Sequence, residues 1–153
     1  MNRGDDGKAE DAVAMRLASH GVRLTDPRRR LLGVLEGAER PLTLPEILGR
    51  DGGLNQSSAC RNLAELEAFG VVDRIVTSGD HNRFELAAEI TDHHHHLVCE
   101  RCGRVEDIEL SPATERLLDG EADSIGTAAG FAIDAHRLDL LGTCADCAGT
   151  TSR

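Results

Sequence analysis

Residues 92–103 read DHHHHLVCERCG: four consecutive histidines, then a C-x-x-C pair that begins three residues after the last imidazole. Three readings compete for the tract: a purification-tag remnant, a disordered polar stretch, or two metal sites interleaved on one piece of backbone. A tag would sit at a terminus and run longer. A disordered stretch would not sit three residues from a thiol that ligates metal. The alternating RVEDIEL that follows (residues 104–110) implies an extended chain from His93 to Val98. Successive side chains on a strand point to opposite faces. His93 and His95 then face one way and His94 and His96 the other, each pair half of a metal site, so two interleaved sites is the expectation.

Working outward, Cys99 and Cys102 form one C-x-x-C and Cys144 and Cys147 another, with 41 residues between the pairs. Two thiolates on such a knuckle reach one ion at about 2.3 Å, and two knuckles complete a tetrahedral zinc site. A redox dithiol is the alternative, but it has no need of two matched pairs. The separation exceeds that of a compact zinc ribbon, so a small subdomain is threaded between the knuckles. After Pro112 a helix is expected through PATERLLDGEADSIGTAAG, and FAIDAHRLDLLG reads as two further strands with His136 between them. The histidine pairs need further ligands, and the nearby donors are Asp73, Glu85, Glu89, Asp107, Glu115, His20, His81 and His136. Cys60 is left over and reads as inert.

The first half has a different character. Met1 to Asp11 reads as a disordered tail, followed by a short helix over Ala12–Ser19 with Gly21 behind it. LTDPRRRLLGVLEGAERP offers Thr25 or Asp26 as a cap, Pro27 in the first turn and an apolar stripe of Leu31, Leu32, Val34 and Leu35. LTLPEILGR starts another helix at Thr43 or Leu44, broken by DGG. LNQSSACRNLAELEAFGVV follows with polar residues at Asn55–Ser58, apolar residues at Leu63, Leu66 and Phe69, and Gly70 at its end. Two helices across a glycine turn make a helix-turn-helix. Two short β-rich runs around SGDHN add a hairpin, so the unit reads as a winged helix. Its last helix would enter a major groove through Gln56 to Arg61, with Arg28, Arg29 and Arg30 on phosphates. A small helical bundle with solvated arginines is the other reading.

Composition bounds the rest. The chain has 153 residues, 40% of them hydrophobic but only 2% aromatic, with no Trp and no Tyr, so its core must be aliphatic. No apolar run reaches the roughly 20 residues that span a membrane, and the polar N-terminus lacks a secretion signal. A cytoplasmic protein without a membrane partner is expected, with its thiols reduced. The net charge of −10 is uneven: Arg16–Val76 holds nine Arg against eight Asp and Glu, which leaves about −11 elsewhere. The arginine-bearing half can face nucleic acid, and the acidic half suits cations. An enzyme, a zinc hydrolase or nucleobase deaminase, is the rival class. A deaminase needs H-x-E and P-C-x-x-C, whereas Val98 precedes Cys99 and no H-x-E occurs. Four cysteines on one zinc also leave no open catalytic position.

With the winged helix, HHHHLVCERCGRVED (93–107) and GTCADC (142–147) in this order, the chain resembles the ferric uptake regulator superfamily over about residues 14–148. The resemblance implies an α+β protein: a winged helix-turn-helix domain (12–88), a hinge (89–92) and a small α/β dimerisation domain closed by a four-cysteine zinc site (93–148). Tails at 1–11 and 149–153 flank them. It implies a homodimeric repressor that binds double-stranded operator DNA when loaded with a divalent metal. Cys99, Cys102, Cys144 and Cys147 match the structural zinc ligands. His94, His96 and Glu85 match sensory ligands, with Asp73 or His81 completing that set. His93, His95, Glu115 and His136 match a second metal site. Arg61 and Arg28 match DNA-facing arginines, beside Gln56, Ser57 and Ser58. Two departures stand out: Cys60 replaces the usual Tyr, and ERPLT (39–43) lacks the loop His of the iron and peroxide sensors. Asp73 falls where zinc sensors place a hinge ligand, although Ala87 replaces their cysteine. The expected sensory ion is Zn²⁺, with Fe²⁺ or Mn²⁺ as alternatives, in an iron- or peroxide-sensing protein of the same superfamily.

Overall fold

The computed structural model describes residues 6–77, 82–91 and 93–149. Its elements are α1 (Asp6–Ser19), α2 (Asp26–Glu36), β1 (Leu42–Thr43), α3 (Leu44–Arg50), α4 (Gln56–Ala68), β2 (Val72–Ile75), β3 (Arg83–Leu86), β4 (His95–Cys99), β5 (Val105–Ile108), α5 (Pro112–Ala129), β6 (Asp139–Gly142) and α6 (Ala145–Ala148). The strands form two sheets, ordered β1-β3-β2 and β5-β4-β6. This is an α+β architecture: a helix-turn-helix with a three-stranded wing, then a second small sheet accompanied by one long helix.

Local chemistry sets the helix starts in the first half. Pro27 sits in the first turn of α2, whose Leu31, Leu32 and Leu35 are buried. Asn55 caps α4 by accepting from the Ser58 N–H at 3.2 Å. At α3 the Thr43 side chain accepts from the Glu46 N–H (3.4 Å), while the Glu46 carboxylate accepts from the Thr43 N–H (2.7 Å), a reciprocal capping box. Burial acts upward on the Glu46 carboxyl, but Arg40 at 2.6 Å and the Thr43 N–H and hydroxyl outweigh it and hold the group at about 2.

A carboxyl depressed in the fold adds stability that is complete above its unfolded value of 4.5 and drains away as pH falls toward 2. After discounting for solvent screening, Glu46→Gln is expected to cost about 1–2 kcal/mol at pH 7. The deficit, read from urea midpoints against the parent chain, narrows as pH drops below about 4.5. A deficit that is flat with pH would remove Glu46 from this role.

The apolar core lies almost wholly in the first half. Val13, Leu17, Leu31, Leu32, Leu35, Leu42, Ile47, Ala59, Leu63, Leu66, Val71, Val72 and Leu86 form one buried cluster. In residues 93–149 only Val98, Cys99 and Val105 are buried apolar side chains, and the two valines pack on Ile75 of the wing. The 18-residue α5 buries Gly126 alone and leaves Leu117 and Ile125 exposed. Phe131, Leu140 and Leu141 are exposed as well.

Four differences from the sequence reading have physical causes. Helix α1 begins at Asp6, so the tail expected through Asp11 is half helical; it anchors through Val13 and Leu17, buried under the core. The two-residue β1 pairs Leu42 with Phe84, too short a strand to show in a sequence pattern. Ladder pairing starts at His95 rather than His93, because its partner β5 stops at Ile108, four residues before Pro112 opens α5. FAIDAHRLDLLG supplies one strand, not two: its first residues turn back on α5, where the Phe131 N–H donates to Gly126 O (2.8 Å) and Ile133 lies against Gly126.

Candidate metal centres

Three groups of ligand-type side chains converge in the described residues, and within each the donor atoms all lie within 4.8 Å of one another. The first is Cys99, Cys102, Cys144 and Cys147. Antiparallel β4 and β5 turn over the first knuckle, and parallel pairing of β4 with β6 sets Cys99 beside Gly142, which delivers the second. The Cys102 and Cys144 sulfurs are 3.7 Å apart. Zinc–sulfur bonds of about 2.3 Å give a tetrahedral edge of about 3.8 Å.

The electrostatics of this cluster favour a cation. N–H groups of Cys144 (3.3 Å to Cys99 Sγ) and Cys102 pull the Cys99 thiol down to about 6. Cys147 goes the other way, pushed up to about 12 by hydrogen bonding to the Cys102 and Cys144 sulfurs and by burial. Four sulfurs this close cannot all ionise unless a positive charge sits among them. The donor set fits Zn²⁺ at a closed structural site.

The second and third groups sit on opposite faces of the histidine tract. On one face, His95 Nε2 meets Glu115 Oε1 at 2.8 Å, with His136 Nε2 at 3.3 Å and His93 Nε2 at 3.6 Å from Glu115 Oε2. Glu115 enters from the first turn of α5, and Asp119, one turn on, meets His136 Nδ1 at 3.3 Å. Asp119 was not legible in the sequence as an orienting partner. His95 is fully buried.

On the other face, Glu85 of the wing strand β3 meets His94 Nε2 at 3.2 Å and His96 Nε2 at 2.8 Å. Asp107 joins from β5, directly opposite His96 in the ladder. The His96 Nδ1 partner is Asp139 Oδ1 at 2.9 Å, which orients the ring as second carboxylates orient ligating imidazoles. His96 Nε2 is buried and, despite the carboxylate at 2.8 Å, is not aligned for a hydrogen bond. The four donor atoms lie within 4.8 Å of one another, close enough to share one ion. Burial lowers the His96 pKa, but Glu85 and Asp139 outweigh it and raise it overall; burial and the Glu85 charge raise Asp107. Perturbed neighbours of this kind mark functional clusters. A cleft of about 260 Å³ walled by Glu89, Ala135, His93, His94, His96 and His136 reaches both histidine groups.

Some expected ligands stand elsewhere. Asp73 belongs to none of the three groups: it faces Glu85 across β2 and β3 with Arg137 at 3.8 Å, and burial, with the Glu85 and Glu89 charges, raises its pKa against that arginine. Asp107 takes the fourth place. Its sequence context, VEDI, shows only strand alternation, and the register that sets it against His96 cannot be read from sequence. His20 stacks on Phe69 (4.7 Å between ring centres) in the first half. His81 lies outside the described residues.

The helix-turn-helix presents α4 to solvent through Gln56, Ser57, Cys60 and Arg61. Ser58 is turned partly inward, its hydroxyl accepting from Asn62 Nδ2 at 3.3 Å. Arg28, expected to face DNA, here donates to Arg23 O (2.7 Å), pairs with Glu65 of α4 and is only 13% exposed. It is a strut between α2 and α4. Arg29 pairs with Glu10 and Asp26, and Arg30 with Asp51.

A winged helix whose wing shares a nitrogen–oxygen cluster with a cysteine-clasped sheet defines a metal-binding winged-helix protein. The chain belongs to the Ferric uptake regulator family, which it matches over residues 19–141. It is 31% identical over 141 residues to the ferric uptake regulation protein of Legionella pneumophila, spanning 88% of this chain and 97% of that one. Among solved structures it is similar to the Helicobacter pylori ferric uptake regulator Fur (TM-score 0.68, 22% identity, 99% of this chain and 100% of that one). It is also similar to the ferric uptake regulator of Pseudomonas aeruginosa with manganese (TM-score 0.66, 26% identity, 86% and 96%). Members of this family are metal-responsive transcription regulators, not enzymes.

Proposed function

We propose that this protein is a homodimeric repressor that binds operator DNA when a divalent ion, Zn²⁺ first, occupies the Glu85, His94, His96 and Asp107 cluster. One observation carries the reading: the donors come from both halves of the chain, Glu85 from the wing and the others from the second sheet and its approach, with His96 Nε2 buried and unaligned. An ion there ties the wing to β4 and β5. It acts by population shift, since it binds the closed arrangement more tightly than the open one. In a dimer, closure fixes the spacing of two α4 helices to successive major grooves, about 34 Å apart. Gln56, Ser57 and Arg61 are the proposed DNA contacts, with Ser58 as a backbone-proximal neighbour. The exposed apolar side chains of α5 (Leu117, Ile125), of Phe131 beyond its end and of Leu141 in β6 support a second copy of the chain as their cover.

The four-cysteine group would hold Zn²⁺ as a structural ion, and His93, His95, Glu115 and His136 a second divalent ion. In the hinge cluster two imidazoles and two carboxylates form a complete tetrahedral set for Zn²⁺, which also outcompetes Fe²⁺ and Mn²⁺ at most N/O sites. Iron or peroxide sensing is the second reading, favoured by the two hard carboxylates once water is added to the shell.

The test strips the hinge ion with a mild chelator while the four-cysteine zinc is retained. DNA binding is then measured on a duplex selected from random sequence, at buffered free Zn²⁺, Mn²⁺ and, without air, Fe²⁺. Restoration by Zn²⁺ at the lowest free concentration is the expected result. Restoration by Fe²⁺ alone transfers the site to the iron reading, and indifference to every ion sinks the proposal.

A further inference from the structure

Among the described residues, the wing meets the second half of the chain at the Glu85 cluster and where Arg137 reaches Asp73 and Arg74 O. A further contact uses no metal ligand of that cluster, and Arg83 organises it. Arg83 opens β3 two residues before Glu85, so both side chains leave the same face of the strand. Its Nε donates to Gly103 O at 2.6 Å, in the knuckle immediately after Cys102. Its Nη1 donates to Pro41 O and to Glu46 Oε2, both at 3.2 Å. The side chain is only 14% exposed. One guanidinium therefore spans the first cysteine knuckle and the capping box that starts α3.

Two neighbours complete this contact. Ile75 is the direct cross-strand partner of Arg83, and it is buried against Val98 of β4 and Val105 of β5. Gly103 has φ +69, a conformation that favours glycine, and a Cβ there would stand 3.1 Å from Thr77 Oγ1, so the wing approaches this backbone closely. A buried apolar cluster, a forked donor and a tight backbone approach form a dock that uses no side chain of the hinge cluster.

We propose that Arg83 is the positioning residue of the switch: by docking the wing on the first cysteine knuckle, it keeps part of the metal-free population closed and holds Glu85 in reach of His94 and His96. This rests on the proposed function. A ligand whose binding-competent state is only partly populated binds with an apparent affinity reduced by that fraction. Arg83 therefore sets the free-metal concentration at which the hinge responds, without being a ligand of the hinge cluster.

The full-length chain with its structural zinc in place and the corresponding Arg83→Ala variant are titrated with buffered free Zn²⁺ and Mn²⁺. Two readouts are taken: ion uptake at the hinge and binding to a duplex selected by the parent protein. The midpoint of both readouts should move to about tenfold higher free metal, the size expected for losing charge-assisted hydrogen bonds. At saturating metal, DNA affinity should return to within about twofold of the parent, because enough ion closes the hinge in either chain. Arg83→Lys, which keeps the charge but loses the fork, should fall between them. Unchanged midpoints overturn the inference, as does a loss of DNA affinity that saturating metal does not repair, since that is a damaged wing and not a shifted threshold. Should Arg83→Ala fail to melt cooperatively, Ile75→Ala decides the matter, because it removes the apolar half of the same dock and spares the Glu46 cap. If the parent itself shows no metal-stimulated DNA binding, the functional reading fails first, and that outcome is distinct from a flat Arg83→Ala response.

Discussion

Changing Cys102 and Cys144 together to Ser is expected to unfold residues 93–149 while the winged helix remains folded. The two halves are held together by different means. The first half buries a continuous aliphatic cluster from Val13 to Leu86. The second half, among its described residues, buries only Val98, Cys99 and Val105 as apolar side chains, and two of these lean on Ile75. At about 25 cal/mol per Å² such a core is worth a few kcal/mol, far below the conformational entropy of ordering more than fifty residues. A structural zinc supplies about 10–16 kcal/mol in small peptides, more than the whole net stability of many domains. The 3.7 Å Cys102–Cys144 contact joins the two knuckles, so losing both thiols leaves one sulfur from each and no closed site. Metal analysis should show about one fewer zinc per chain. Hydrogen exchange should show lost protection across β4, β5 and β6 with protection kept in α2, α3 and α4. Unaltered protection in the second sheet would show that it stands without the ion.

How much of this was legible beforehand depends on the range over which each feature is decided. The four-cysteine group and the split of the histidines follow from spacing and strand pleat. Both are local, and DHHHHLVCERCG with its distant partner TCADC is enough to argue them. The helix starts at Pro27, Thr43 and Asn55 are likewise written in adjacent residues. The fourth member of the hinge group was not legible. Asp73 and Asp107 each lie on a short strand with a suitable carboxylate, and only the β4–β5 register, His96 against Asp107, selects between them. The Arg28 pairing is hidden for a similar reason: its partner Glu65 lies 37 residues on and meets it only in the fold. The second strand expected in FAIDAHRLDLLG does not form because Phe131 and Ile133 turn back on Gly126 of α5, a contact that alternation within the segment does not announce. Asp119, Asp139 and Arg83 act through other residues, and such roles leave no spacing signature.

His94→Ala with His96→Ala is expected to abolish the dependence of DNA binding on metal while the four-cysteine zinc stays in place. Their Nε2 atoms lie 3.2 and 2.8 Å from Glu85, and they are the nitrogen donors of the cluster that joins the halves. Without them Glu85 and Asp107 remain as a carboxylate pair, too weak a site to favour the closed arrangement. A ligand shifts an equilibrium only by its differential affinity for the two states, and here that difference is lost. Metal-stimulated binding should therefore fall to within about twofold of the metal-free level, where a full two-state shift would require a preference of about 10⁴. Removing His96 also strips Asp139 and Glu85 of a buried partner, a cost of about 1–3 kcal/mol. Stability and zinc content must be read alongside, and the cysteines beyond the far end of the histidine tract should retain their ion. The contrast with Arg83→Ala is diagnostic: that variant needs more metal but reaches full DNA affinity, whereas the double histidine variant should not respond at any metal concentration. Equal stimulation in the double variant and the parent would move the sensory site away from this face of the strand, with His93, His95, Glu115 and His136 next in line.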